Sequence, residues 1–119
     1  MYDENKKIAE IKERSIKNET ERYNKYIIMI EDKEKMIKDY SNKIYSLEYD
    51  NETEEDAEVI EINNQSIIRF KALIDKWEIH LKELKATKKE IAKTIRKLKK
   101  ELKIASKSIE NGAKHETDR

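Results

Sequence analysis

Histidine and carboxylate side chains are the residues of this chain that bear most directly on catalysis or metal binding. The only histidines are His80 and His115, and Glu83 follows His80 by three positions. On a helix this spacing places both side chains on one face, where they supply two ligands to a metal ion. A bundle-type site needs several more carboxylates and a second histidine facing inward. The pair alone therefore predicts a histidine at the edge of a helix seam, with no metal and no cofactor.

Other kinds of catalytic site lack the residues they require. The chain has no cysteine, which excludes disulfides and thiol chemistry, and its single glycine, Gly112, does not make a phosphate-binding loop. Carboxylates occur throughout the sequence, so their spacing does not single out a catalytic pair. We predict that the protein is not an enzyme and takes no small-molecule substrate.

Charged side chains are concentrated in two segments of opposite sign. Residues 48–61 hold eight acidic residues and no basic one, whereas residues 82–107 hold eleven basic and three acidic residues. The two segments cancel, and the net charge of the whole chain is +1. The basic segment predicts contact with nucleic-acid phosphates through the following residues: Lys89, Lys93, Arg96, Lys97 and Lys100. A solvated helix face with intrahelical ion pairs is the alternative explanation.

The acidic segment predicts a tip that docks on a basic protein surface or occupies a nucleic-acid groove as a mimic. Its candidate contact residues are Glu52, Glu54, Glu55 and Asp56. Helix capping and solubility are the alternative explanation, because carboxylates stabilise the positive end of a helix dipole.

Composition indicates which elements position these residues. Charged residues make up 45% of the chain, hydrophobic residues 36%, and there is no proline. This composition is typical of long helices and coiled coils, and it offers few of the residues that build turns. Apolar residues recur every seven positions. In the first half the two columns are Tyr2, Ala9, Ile16, Tyr23, Ile30, Ile37, Ile44 and Asn5, Lys12, Glu19, Tyr26, Lys33, Tyr40, Leu47. In the second half they are Ile60, Ile67, Ile74, Leu81, Lys88, Ile95, Leu102, Ile109 and Asn63, Phe70, Trp77, Leu84, Ile91, Leu98, Ala105.

The columns predict an all-α fold, an antiparallel two-helix coiled-coil hairpin with helices at about 3–50 and 54–110. We expect a single domain over residues 1–112 and a flexible tail over 113–119. Asn51 is expected to close the first helix, Asn51 or Thr53 to cap the second, and Gly112 to end it. Phe70 and Trp77 occupy seam positions and are expected in the core.

A turn centred between Thr53 and Glu54 also predicts the register. The numbers of facing residues then sum to 107, so that Glu19 faces Lys88 and Tyr40 faces Ile67. Opposite charges meet in this register, which is the observation that favours it.

Further apolar residues flank the seam in the part of the hairpin near the turn. A two-helix seam is one residue deep and cannot bury a stripe this wide. We therefore predict a second layer, supplied by a homodimeric four-helix bundle or by a docked partner protein. Its surface comprises Ile27, Met29, Met36, Val59, Ile68, Leu73 and Ile79.

A different structure at the tip is the alternative. Residues 44–49 and 57–62 contain partial period-two alternation, and Ser66 offers a cap for a new helix, so a small β-hairpin is conceivable there. Two helical arms carrying a tip hairpin resemble a prefoldin subunit in architecture, which implies a chaperone subunit.

The function expected from the sequence is that of a non-catalytic protein–protein interaction module: an adaptor, inhibitor or regulator. The alternative is a small nucleic-acid-binding dimer, similar in architecture to helical-hairpin RNA-binding regulators of the Rop type. The polar start and the absence of a long apolar run predict a cytoplasmic protein without membrane contact. Abundant Lys, Ile, Asn and Tyr indicate an AT-rich genome, and a phage origin is consistent with that bias.

Overall fold

The chain folds as two long helices. The computed structural model describes the backbone of residues 2–117 and the side chains of residues 4–110. Helix α1 spans Tyr2–Thr53 and helix α2 spans Ala57–Thr117, joined by residues 54–56. The predicted all-α helical hairpin is confirmed. Contacts divide the chain into two compact units: Ile27–Ala86, here called the loop unit, and Met1–Tyr26 with Thr87–Arg119, here called the terminal unit.

The heptad columns form the seam between the helices in each unit. Every described member of the four columns is buried or half-buried, as the sequence predicts. The fully buried residues among the described side chains are all apolar: Ala9, Ile30, Ile44, Ile67, Ile74, Leu84, Ile91 and Ala105. Removing apolar surface from water contributes about 25 cal/mol per Å2, so these columns supply the main stabilisation of the pairing.

The loop differs from the predicted turn because Asp56 caps α2. Its side-chain oxygen accepts a hydrogen bond from the backbone N–H of Glu58 at 2.9 Å, and its carbonyl accepts one from Ile60 at 3.1 Å. The prediction that Asn51 or Thr53 caps α2 is therefore wrong, since both lie within α1. No described residue has the left-handed backbone expected of Asn51.

The register is also displaced from the predicted one. In the loop unit Tyr40 contacts both Phe70 and Trp77, and in the terminal unit Lys12 pairs with Glu101. Adding the two residue numbers of each interhelical contact gives 110 to 119, centred near 114, rather than 107.

The displacement is close to one heptad and has a simple cause. Moving an antiparallel pair by seven residues leaves the same columns facing each other, so the periodicity alone does not distinguish 107 from 114. The loop decides between them, because α1 continues to Thr53 and α2 begins only after Asp56. The Asn51 side chain, which the 107 register places opposite Asp56, instead exchanges hydrogen bonds with Asn63 and Asn64 at 2.9 and 3.0 Å.

Two further expectations about the helices are corrected. Residues 44–49 and 57–62 are helical, and no strand occurs in the described residues, so the tip β-hairpin does not form and Ser66 starts no new helix. The seven-residue pattern outweighs the short alternation. Helix α2 passes through Gly112 to Thr117, because one interior glycine costs a helix only about 1 kcal/mol. The single domain and the flexible tail stay predictions.

Candidate interaction surfaces

The core of the loop unit is built around aromatic rings. Ile44, Ile67 and Ile74 form its buried cluster, and Phe70 and Trp77 pack against them, which confirms the expected core role of these two rings. Tyr40 lies at the centre of this arrangement. Its ring meets the rings of Phe70 and Trp77 edge-on, with ring centroids 5.2 and 4.8 Å apart. Edge-to-face pairs add about 0.5–1.5 kcal/mol each to the burial of the rings.

In the terminal unit three charged side chains, Lys12, Glu19 and Lys88, lie in the seam columns, whereas the loop unit has only Lys33 there among the described residues. Lys88, a column member, lies over the ring of Tyr23 at 5.5 Å, and Glu19 pairs with Arg22 one turn later at 3.7 Å. The predicted pairing of Glu19 with Lys88 is therefore wrong, and the heptad displacement is the reason. The buried residues Ala9 and Ala105 show how small some seam side chains are in this unit.

The ion pair between Lys12 and Glu101 also belongs to the terminal unit. The Lys12 ammonium donates a hydrogen bond to the Glu101 carboxylate. This hydrogen bond is the largest cause that lowers the pKa of Glu101 below its ordinary value, partial desolvation opposes it, and the positive charges of Lys12 and Lys97 add to it. The carboxylate therefore stays charged at more acidic pH than an isolated glutamate does.

The two sides of the loop-unit seam differ in polarity. We use the letters a and d for the seam columns, so that position e follows each d and position g precedes each a. Two interhelical ion pairs join e residues: Glu34 with Lys85 at 3.8 Å and Glu48 with Lys71 at 3.6 Å. This side, the e side, is therefore bridged by charge.

The opposite side of the loop unit, the g side, carries apolar side chains at its centre together with the exposed His80. Met29 and Met36 on α1 occupy g positions and are 42% and 37% exposed. Leu73 on α2, also a g residue, is half-buried and lies on the same side by register. A groove beside this centre is lined by Phe70, Leu47 and the following polar residues: Asp39, Asn42, Lys43 and Ser46.

Charges of opposite sign flank the apolar centre of the g side. The charged residues at position c, on the outer edge of that side, are Asp32 and Asp39 on α1, and Arg69, Lys76 and Glu83 on α2. The edge on α1 is thus acidic, and the edge on α2 is basic at Arg69 and Lys76 and acidic at Glu83. Sequence reasoning did not use these residues as a surface, although their heptad position marks them once the seam columns are known.

The seven residues predicted as one partner surface lie on several sides of the helices. Met29, Met36, Val59 and Leu73 share the g side, whereas Ile27 and Ile68 lie on the e side and Ile79 on the back of α2. Val59, Ile68 and Ile79 are exposed, and Ile27 is half-buried, as Leu73 is. Exposed apolar and tyrosine side chains that the sequence reasoning did not include are Ile28, Tyr45, Tyr49 and Ile62 in the loop unit and Ile8, Ile11 and Ile104 in the terminal unit.

Two residues of the predicted acidic tip form hydrogen bonds that stabilise the loop. Asp56 caps α2, and the Glu54 carboxylate accepts a hydrogen bond from the backbone N–H of Asp56 at 3.1 Å. These hydrogen bonds cap the helix, and helix capping is the alternative explanation of the acidic segment given by the sequence. Glu52 and Glu55 are exposed.

The basic residues of the terminal unit follow one helix face. Along α2 they recur at alternating steps of four and three residues, which is the spacing of a single helical stripe. We call this set the basic stripe, and it consists of Lys89, Lys93, Arg96, Lys100, Lys103 and Lys107. All six are exposed, whereas Lys97, predicted with them, is exposed beside the stripe.

Catalytic and metal sites receive no structural support in the described part of the chain. His80 is exposed at a g position, beside the seam, and His115 lies outside the described side chains. Among the described residues, no three His, Asp or Glu side chains come together closely enough to hold a metal ion.

Fold and surfaces together define a two-helix antiparallel hairpin with an apolar face in one unit and a cationic stripe in the other. Neither described helix contains an apolar stretch of the length that a bilayer crossing requires. No protein-family model matches the chain, and neither the curated proteins nor the solved structures yield a match.

Proposed function

We propose that the protein is a non-catalytic interaction module that associates with a second copy of itself through the g side of the loop unit. The observation that carries this proposal is the cluster of exposed Met29 and Met36 and half-buried Leu73 on one side, flanked by the oppositely charged Asp39 and Lys76. Clustered apolar surface marks interaction sites in soluble proteins. Association covers it with a second layer and produces a four-helix bundle.

Charge complementarity selects the second copy as the occupant and fixes its direction. A two-fold axis parallel to the helices lays α1 of one copy over α2 of the other. The acidic Asp39 then meets the basic Lys76 of the other copy, whereas Asp32 is level with Glu83. Asp39 and Lys76 lie level with each other, because their numbers sum to 115, close to the register of the hairpin. A perpendicular two-fold axis lays α1 over α1 and places acid against acid.

Sedimentation equilibrium of the full chain tests the proposal with two matched variants. Met36→Glu puts a charge into the apolar centre, whereas Ile28→Glu puts the same charge on the back of α1, at a residue that is 58% exposed. At about 50 µM, well above a micromolar Kd, the wild-type chain and Ile28→Glu should have twice the chain mass of 14.3 kDa. Met36→Glu should have the chain mass.

The helical content of each variant is checked by circular dichroism, so that loss of association is not confused with unfolding. A wild-type chain that stays at the monomer mass at this concentration contradicts the proposal. Equal dissociation of both glutamate variants contradicts the assignment of the g side.

A further inference from the structure

We propose that the basic stripe of the terminal unit binds the phosphate backbone of double-stranded nucleic acid without reading its sequence. This proposal does not depend on the association of two copies, because the stripe and the g side lie in different units. The occupant is identified by its chemistry, a regular array of phosphate charges.

Positive charge recurs regularly along one face of α2. The stripe runs from Lys89 to Lys107 at helical steps of three and four, and no acidic residue interrupts those steps. Eighteen residues of helix rise about 27 Å. A duplex carries one negative charge per about 1.7 Å of axis, so the stripe spans the equivalent of about 16 phosphates.

Most charges of the stripe have no carboxylate partner among the described residues. Of the stripe, Lys93 alone has an ion pair among the described residues, with Glu90 at 3.2 Å on the same helix. The guanidinium of Arg96 donates to the carbonyl of Ala92 at 3.4 Å, a contact that leaves its charge uncompensated. No described carboxylate lies within 4.0 Å of the other four ammonium groups, those of Lys89, Lys100, Lys103 and Lys107.

The surroundings of the stripe favour nucleic acid over an acidic protein as the partner. Protein interfaces obtain most of their affinity from buried aromatic and apolar anchors. Among the described residues of α2 beside the stripe there is one exposed apolar side chain, Ile104, and no aromatic one. Phosphate binding needs only cations such as those of the stripe, because it is driven by the release of counterions. The absence of aromatic residues and of paired arginine forks predicts that bases are not read.

The experiment measures binding of the full chain to a random-sequence duplex DNA by fluorescence anisotropy across a salt series. Two triple variants lose the same charge. Lys93→Gln, Arg96→Gln and Lys100→Gln remove half of the stripe, whereas Lys25→Gln, Lys35→Gln and Lys38→Gln remove exposed charges of α1. If all six stripe residues contact phosphates, the plot of log K against log salt has a slope of about −5, and the stripe triple reduces it to about −3.

The stripe triple should lose at least about tenfold in affinity at 50 mM salt, while the α1 triple binds within about twofold of the wild type. A second, unrelated duplex sequence should bind equally well. The proposal is overturned if the wild-type chain does not bind at this salt concentration, or if both triples lose affinity equally. Equal affinity for a polyglutamate of matched charge also overturns it, because the stripe then recognises negative charge of any kind.

Discussion

The loop unit and the terminal unit use the same two helices and the same seven-residue repeat, yet they differ in what occupies the seam and the surface. In the loop unit the seam carries aromatic rings around Tyr40, and apolar side chains such as Met36 remain on the outside. In the terminal unit Lys12 and Lys88 occupy seam columns, and the outer face of α2 is cationic.

The seven-residue repeat and the proposed functions of the surfaces therefore depend on different residues. The repeat requires only that the side chains at a and d positions face the other helix. A polar side chain can occupy such a position when it forms an ion pair or hydrogen bond there, as Lys12 does with Glu101. The unit with surplus apolar residues is suited to further packing, whereas the unit with surplus charge is suited to a charged ligand.

The largest expected effect is on the free energy of unfolding, when one seam tyrosine from each unit is replaced by alanine. Tyr40→Ala removes a ring that makes two edge-to-face contacts, and we expect a loss of about 3 kcal/mol in the free energy of unfolding. Tyr23→Ala in the terminal unit removes a ring beside Lys88 and should cost about 1–2 kcal/mol. Urea unfolding monitored by circular dichroism measures both. Equal losses would show that the aromatic cluster does not distinguish the loop unit.

Charge reversal at the edges of the g side should have the next largest effect. Asp39→Lys or Lys76→Asp alone places like charges together in the proposed dimer and should weaken association about three- to tenfold. The double variant restores opposite charges and should recover the wild-type dissociation constant at low salt. Glu10→Lys, an exposed reversal in the terminal unit, is the control and should leave association unchanged. Failure of the double variant to recover contradicts the proposed two-fold axis.

Removal of the helix cap in the loop should have a smaller effect. Asp56→Ala deletes the acceptor for the Glu58 N–H and should lower the free energy of unfolding by about 1 kcal/mol. Glu55→Ala changes the neighbouring loop residue, which is exposed, and should change stability by less than about 0.5 kcal/mol. Thermal unfolding measures the difference. Indistinguishable variants would mean that the cap does not hold the start of α2.

The smallest effect concerns the pH dependence of the terminal unit. Because the pKa of Glu101 is lowered in the folded chain, its contribution to stability is fully present above the ordinary glutamate value, about 4.5. It is lost as the pH falls from there through the lower pKa. Glu101→Gln should therefore reduce stability at pH 7 and flatten the acid side of the stability profile. An unchanged profile would show that Lys12 does not hold this carboxylate charged in the folded state.

Much of the fold follows from the sequence because burial in a hairpin has a fixed period. The four columns predicted by heptads are the residues that the structure buries, including polar members such as Lys33, which lies over the ring of Trp77 at 5.8 Å. The register does not follow, since a displacement of seven residues leaves the same columns in contact. The loop geometry decides it through Asp56, one of several acidic residues near the turn that the sequence alone does not rank.

The candidate surfaces follow from the sequence only in part. The sequence identifies exposed apolar residues as those that lie outside the seam columns. To assign each of them to one side of the seam, the structure is needed, because the interhelical ion pairs of Glu34 and Glu48 identify the e side. Once this side is known, Asp39 and Lys76 become recognisable as edges of the g side. The basic stripe needs no contact to be recognised, because its spacing of three and four residues is present in the sequence itself.

The most direct test of the proposed association is the distance between the loops of two copies. The chain has no cysteine, so Glu55→Cys introduces a single site for a spin label in the exposed loop. Double electron–electron resonance then measures the distance between two labels. A two-fold axis parallel to the helices predicts about 15–30 Å, because packed helices lie 8–10 Å apart and the labels add length. An axis perpendicular to the helices through the level of Met36 predicts a distance of about 57 Å between the labels. That distance, or the absence of any dipolar signal, would contradict association about an axis parallel to the helices.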